Sequence, residues 1–196
     1  MIRPVLTART SSVEATKELA GALAELARAG DLVVLVGELG AGKTAFTQGF
    51  GSGMGVVEQI TSPTFALVQS YAGRLRLHHL DVYRLGHVNE ALDLGLDELL
   101  DEGAVTLIEW GDTILRVLPQ DFLEVHLLFG TEADERIVEL VPIGTRWSAR
   151  IRALESAVRP WCPIESQGPD EPQGPIESQG PDESQGPADA GGGGGC

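Results

Sequence analysis

The sequence predicts an α/β sandwich of three layers, a mixed sheet with helices on its faces, followed by a disordered tail. Three observations carry this prediction. A short apolar run, Leu32-Val33-Val34-Leu35-Val36, has the all-hydrophobic character of a parallel strand buried on both faces. Residues 37–44 then read Gly-Glu-Leu-Gly-Ala-Gly-Lys-Thr, a full match to the G-x-x-x-x-G-K-[ST] phosphate-binding loop. Ala45-Phe46-Thr47-Gln48-Gly49-Phe50 follows as a helix start, whose N-terminus favours an anion.

Each loop residue has a mechanical task. Gly37, Gly40 and Gly42 let the backbone turn tightly, so that successive N–H groups, those of Glu38, Leu39 and Ala41 included, point at phosphate oxygens. Lys43 reaches the β- and γ-phosphates as a point charge, and the Thr44 hydroxyl ligates magnesium. A glycine-rich turn that merely contains Lys-Thr would not sit between a buried strand and a helix. The layered fold is therefore of the P-loop NTPase kind, and the chain is expected to bind a nucleoside triphosphate.

The other elements follow in order. Ser11-Ser12-Val13-Glu14 reads as a capping box opening a helix, with Leu19, Leu23 and Leu26 at helical spacing and Gly30 as a stop. Thr64–Tyr71 and Leu75–Val82 are extended runs joined by Ala72-Gly73-Arg74, a hairpin that adds antiparallel character to the sheet. Asn89–Leu100 is expected to be helical. Val105–Ile108 reads as another short buried strand, Phe122–Phe129 and Arg136–Val141 as two more, and Trp147–Val158 as a closing helix.

Residues 1–159 make the expected ATPase domain and 160–196 the tail. The tail contains one twelve-residue unit written twice with a single change, PIESQGPDEPQG from Pro163 and PIESQGPDESQG from Pro175. Its Pro, Gly, Glu and Ser content cannot bury enough apolar surface to offset the entropy of ordering. From Pro160 onward there are seven acids and no Lys or Arg, leaving 22 acids against 14 bases in the body. Such an acidic body is a poor footprint for holding nucleic acid independently. Two cysteines, Cys162 and Cys196, lie in or beside the tail, which argues against a disulfide framework or zinc site and fits a reducing cytoplasm. No apolar run approaches the roughly 20 residues of a membrane span, and the first residues lack a secretory signal pattern.

A phosphate loop needs an acid at the end of a neighbouring strand. Glu109 closes the run Val105–Ile108, and Asp81 closes Leu75–Leu80; each is a candidate for magnesium or for the attacking water, against the alternative of a solvated acid at a strand end. His78 and His79 are adjacent and point to opposite faces of a strand, which disfavours a shared metal. Trp110 either gates the nucleotide or packs, and packing is favoured. Arg84 either serves as an arginine finger or pairs with an acid. Ser62-Pro63-Thr64 is either a switch segment or a plain turn.

Taken together, GELGAGKT with AFTQGF, then TSPTFALVQSY, HHLDVYRL and LIEWGD, resembles the bacterial TsaE (YjeE) family from Ser12 to about Val141. Two departures are visible. Glu38 stands where the family usually has Asp, and Gly111 where it often has Pro. The resemblance implies a small ATPase needed for threonylcarbamoyl modification of the adenosine beside the anticodon, in tRNAs reading codons that begin with A. It implies ATP and Mg2+ as cofactors and the transferase TsaD with its paralogue TsaB as partners, the tRNA being held through them. On matching positions it implies phosphate and metal contacts for Lys43 and Thr44, a metal-site role for Glu109, hydrolysis for Asp81, and a place near the base for the segment around Ser12. A small-molecule kinase and a non-hydrolysing nucleotide sensor are the rival readings. A small GTPase is disfavoured by the lack of an Asn-Lys-x-Asp guanine reader.

Overall fold

The computed structural model describes residues 6–63, 66–84, 99–100 and 103–162. Of the helix expected over Asn89–Leu100 only Leu99 and Leu100 are described, and they are helical; Thr64 and the tail from Pro163 lie outside the described residues.

Strand β2 (Leu32–Val36) sits in the middle of a seven-stranded sheet ordered β1-β7-β6-β2-β5-β4-β3 among the described residues. It pairs in parallel with β5 (Val105–Glu109) on one side and with β6 (Phe122–Phe129) on the other. β4 (Leu77–Asp81) adds in parallel to β5. The antiparallel members are hairpin partners or edges: β3 (Val68–Tyr71) on β4, β7 (Arg136–Ile143) on β6, and β1 (Leu6–Thr10) on β7. The sheet is mixed, as expected, with more antiparallel pairing than one hairpin supplies. β1 was not anticipated, because five residues with a single alternation of buried Ala8 and Thr10 give little periodic signal.

The alternation of β2 explains the layers. Val33 and Leu35 face a core built with helices α1 (Val13–Glu25), α2 (Lys43–Gly53) and α3 (Ile151–Val158), around Leu19, Phe46, Phe50 and Trp147. Leu32 and Val34 face the other side, covered by a 3-10 segment at Gly111–Val117 and by Leu99 and Leu100. A strand apolar on both faces needs both covers, and this makes the sandwich.

Two helix starts differ from the sequence expectation. Ser12, not Ser11, caps α1: its hydroxyl accepts from the Ala15 amide at 3.1 Å, which leaves Glu14 inside the first turn rather than at the reciprocal position of a capping box. The closing segment begins as a 3-10 turn, Ser148–Arg150, and becomes α-helical only at Ile151. Here Arg150 makes a two-point ion pair to the buried Asp31 at 2.6 and 2.8 Å and lies 3.9 Å above the Trp147 ring. Trp161, in the turn after α3, also packs against the core.

Helices α1 and α2 approach closely because α2 is glycine-rich on the contact face. A Cβ at Gly49 would stand 2.2 Å from the Lys17 carbonyl oxygen. Gly49→Ala therefore forces the helices apart, and overpacking of this kind costs about 1–3 kcal/mol. At about 2–4 °C per kcal/mol for a domain of this size, thermal unfolding of the variant should show a drop of several degrees. An unchanged midpoint would mean that the helix pair adjusts freely.

Candidate functional site

The loop between β2 and α2 curls around the end of the sheet where the parallel strands deliver their C-terminal residues. Gly42 caps α2 with φ +105°, a left-handed conformation that favours glycine, and it leads directly into Lys43. Beside the loop is a cleft of about 460 Å³, within the range of small-molecule sites. Lys43, Thr44, Asp81 and Glu109 line it together, with Ser62 and Trp110.

The parallel register brings the acids to one place. Asp81 pairs with Glu109 across β4 and β5, so both carboxylates leave adjacent strands at the same level and on the same face. Glu109 Oε2 accepts from the Thr44 hydroxyl at 3.1 Å, and Oε1 lies 3.4 Å from the Thr47 hydroxyl. Asp81 Oδ2 accepts from the Ser62 hydroxyl at 2.5 Å, and Oδ1 accepts from the Tyr83 amide at 3.2 Å. Both acids are buried, and their hydrogen bonds supply what water would otherwise give.

Lys43 donates to the carbonyls of Gly37 at 2.7 Å and Glu38 at 2.8 Å, and its Nζ stands 3.5 Å above the centre of the Trp110 ring. Burial pulls its pKa below the ordinary lysine value, opposed by the negative charges of Glu109, Asp81 and Asp112. Trp110 has φ +63°, costly for a bulky residue, and its ring meets Tyr83 at 4.8 Å. Packing and facing the cleft are thus one role: the ring is both a wall and the platform for Lys43.

The remaining expected residues lie along the loop. The Glu38 carbonyl also accepts from the Ala41 amide at 3.1 Å, Leu39 is 78% exposed, and Ala41 is buried in the core. Ser12 lies on the far side of the loop, in a recess of about 60 Å³ shared with Gly40, Ala41, Gly42, Asp134 and Arg136. His78 and His79 do part to opposite faces: His78 Nδ1 meets the Ser70 hydroxyl at 2.8 Å, and His79 Nε2 lies 2.9 Å from Glu109 Oε1. Among the described residues no group of three His, Cys, Asp or Glu side chains could hold a metal. What faces the cleft are the hydroxyls of Thr44 and Ser62 and the carboxylates of Asp81 and Glu109, hard oxygen donors that suit magnesium when phosphates and water supply the other positions.

Thr47 and Arg136 were not singled out from the sequence, and His79 was weighed only as half of a metal pair with His78. Thr47 is one helical turn beyond Lys43, a spacing that could have flagged it. His79 is two residues before Asp81 on one strand and so shares its face. Arg136 left no signal at all, being 95 positions from the loop. It donates through Nε to Ala41 O at 3.1 Å and through Nη2 to Gly40 O at 3.4 Å, while Nη1 holds the carbonyls of Ala133 and Glu135. The β6–β7 turn it clamps is itself tied by Glu135, whose carboxyl is held down to about 2, chiefly by the Thr131 hydroxyl and amide and then by Arg9.

A buried parallel strand, a glycine loop, a lysine and hydroxyl opening the next helix, and a carboxylate from the neighbouring strand facing that hydroxyl define a P-loop protein. The model of the family "Threonylcarbamoyl adenosine biosynthesis protein TsaE" matches residues 10–138, and the chain belongs to the TsaE family, which acts in tRNA threonylcarbamoyladenosine biosynthesis. It is similar to the TsaE protein of Bacillus subtilis, 41% identical over 140 residues that cover 71% of this chain and 87% of the relative. The Streptomyces coelicolor TsaE protein is 44% identical over 139 residues, covering 67% and 93%. The crystal structure of Bacillus subtilis YdiB superposes with a TM-score of 0.70 at 35% identity, over 80% of this chain and 97% of that one.

Arg136 ties the loop carbonyls of Gly40 and Ala41 to the start of β7. Arg136→Ala should lower nucleotide affinity about tenfold, or about 1.4 kcal/mol, because the loop must then order itself on binding. Titration with a fluorescent ATP analogue checks this, and parental affinity would show that the clamp is idle.

Proposed function

We propose that this chain is a magnesium-dependent ATPase that drives tRNA threonylcarbamoyladenosine synthesis by nucleotide-gated binding to a TsaD–TsaB pair. ATP binding promotes docking, and hydrolysis resets the partners between turnovers. The observation that supports this most directly is the convergence of Lys43, Thr44, Asp81 and Glu109 on one cleft beside the loop. Lys43 and the loop amides of Glu38, Leu39, Gly40, Gly42 and Thr44 take the phosphates, while the Ala41 amide is held by the Glu38 carbonyl. Thr44 and Glu109 hold magnesium, and Asp81, bridged by Ser62, orients the attacking water. The recess beside Ser12 is the side from which the base approaches.

Partner dependence agrees with the charge. A body with 22 acids and 14 bases is a poor footprint for holding nucleic acid independently, so the tRNA is reached through the partners. No helix among the described residues is long and apolar enough to cross a membrane. We place the activity in the cytoplasm, with tRNA and ATP.

Lys43→Ala removes a charge-assisted phosphate contact from a residue whose loss opens no core cavity. It should lose ATP hydrolysis, measured alone and with partners, while keeping its melting temperature within a few degrees. In reconstituted tRNA modification scored over several turnovers, the parent should sustain product formation and Lys43→Ala should stop after the first. Modification that continues equally with either protein would return the kinase reading to first place.

The domain itself we take to end with the turn after α3, leaving the repeats of the tail outside it. A chain ended at Cys162 should melt within a degree or two of the full one, an estimate that assumes negligible stabilisation from a segment so poor in apolar residues. Loss of partner-stimulated hydrolysis on truncation would assign the tail a docking role instead.

A further inference from the structure

His79 is fully buried on β4, two residues before Asp81, on the sheet face that carries Glu109. Its Nε2 lies 2.9 Å from Glu109 Oε1. A carboxylate only accepts, so Nε2 carries the hydrogen and donates. The second ring nitrogen, Nδ1, is one of two buried side-chain polar atoms without a partner among the described residues. A ring placed there for packing alone would be better replaced by a hydrocarbon of similar size, which leaves no orphan atom. The bond from Nε2 is what the imidazole contributes.

That bond divides the carboxylate. Oε1 is held from inside the sheet by His79, with the Thr47 hydroxyl 3.4 Å away, while Oε2 is turned outward to the Thr44 hydroxyl at 3.1 Å. A glutamate has three rotatable bonds, and without an inner donor nothing on the β4 side fixes the rotamer and carboxylate plane that turn one oxygen to Thr44. We propose that His79 is a positioning residue: it aims Glu109 Oε2 at Thr44 and thereby sets the magnesium affinity of the nucleotide complex. This inference rests on the reading of Glu109 as a metal-side residue given above. Outer partners of metal ligands commonly matter by 10- to 100-fold in metal affinity.

The test is equilibrium binding of a fluorescent ATP analogue, titrated with magnesium chloride and repeated in EDTA, on the full chain and its Glu109→Gln, His79→Leu, His79→Gln and His79→Asn variants. Glu109→Gln should abolish the magnesium dependence; if it does not, the metal-side reading of Glu109 fails first and takes this inference with it. Given that loss, His79→Leu should weaken the magnesium midpoint about 10- to 100-fold, with affinity in EDTA within about twofold of the parent. His79→Gln, whose amide reaches Glu109 and donates, should recover most of the loss, and the shorter His79→Asn should not. A parental magnesium midpoint in His79→Leu, or an equal loss with and without magnesium, overturns the proposal. Should the Leu variant fail to fold, the Gln and Asn pair decides, and equal magnesium midpoints in those two overturn it.

Discussion

Strand β2 is the constraint on which the rest of the structure depends. It is flanked on both edges by parallel partners and has apolar side chains on both faces, so it is held between two neighbouring strands and two covering layers. The chain must then leave the sheet at Val36, turn, and enter α2 within a few residues. The glycine loop is the segment that makes this turn, with Gly42 in a left-handed conformation at the start of α2.

Parallel pairing does the second part of the work. Adjacent parallel strands end on the same side of the sheet, so β4 and β5 deliver Asp81 and Glu109 beside the loop that follows β2. Two acids and a lysine are thereby buried close together. Such a cluster is tolerated because each group is hydrogen-bonded: Asp81 to Ser62 and an amide, Glu109 to His79 and two threonines, Lys43 to two carbonyls with an aromatic face beneath it. The antiparallel strands contribute differently. The β6–β7 turn reaches back over the loop, and Arg136 fastens the two together.

Much of this was legible beforehand. The apolar run of β2, the loop motif and the start of α2 are local signals, and the two acids were found because each closes a short apolar run at a strand end. Phe122–Phe129 is the strand the hydrophobic pattern marks, since eight residues carry enough alternation to be read. Short elements were harder. β1 has too few residues to show a period, and the cap of α1 moved by one residue because two serines compete for it and only the local backbone chooses.

What the amino-acid sequence determined by itself was therefore the chemistry within one stretch of chain: the loop, its lysine and threonine, the acids at strand ends, and the opposed faces of His78 and His79. Each depends on residue type and on a period of two or 3.6, which neighbouring residues suffice to specify. Only the tertiary structure decided the pairings between distant stretches. Glu109 meets Thr44 across 65 positions, His79 meets Glu109 across 30, and Arg136 reaches Ala41 across 95. Those contacts follow from strand order and register, which are set by how the whole hydrophobic surface is buried and not by any one segment.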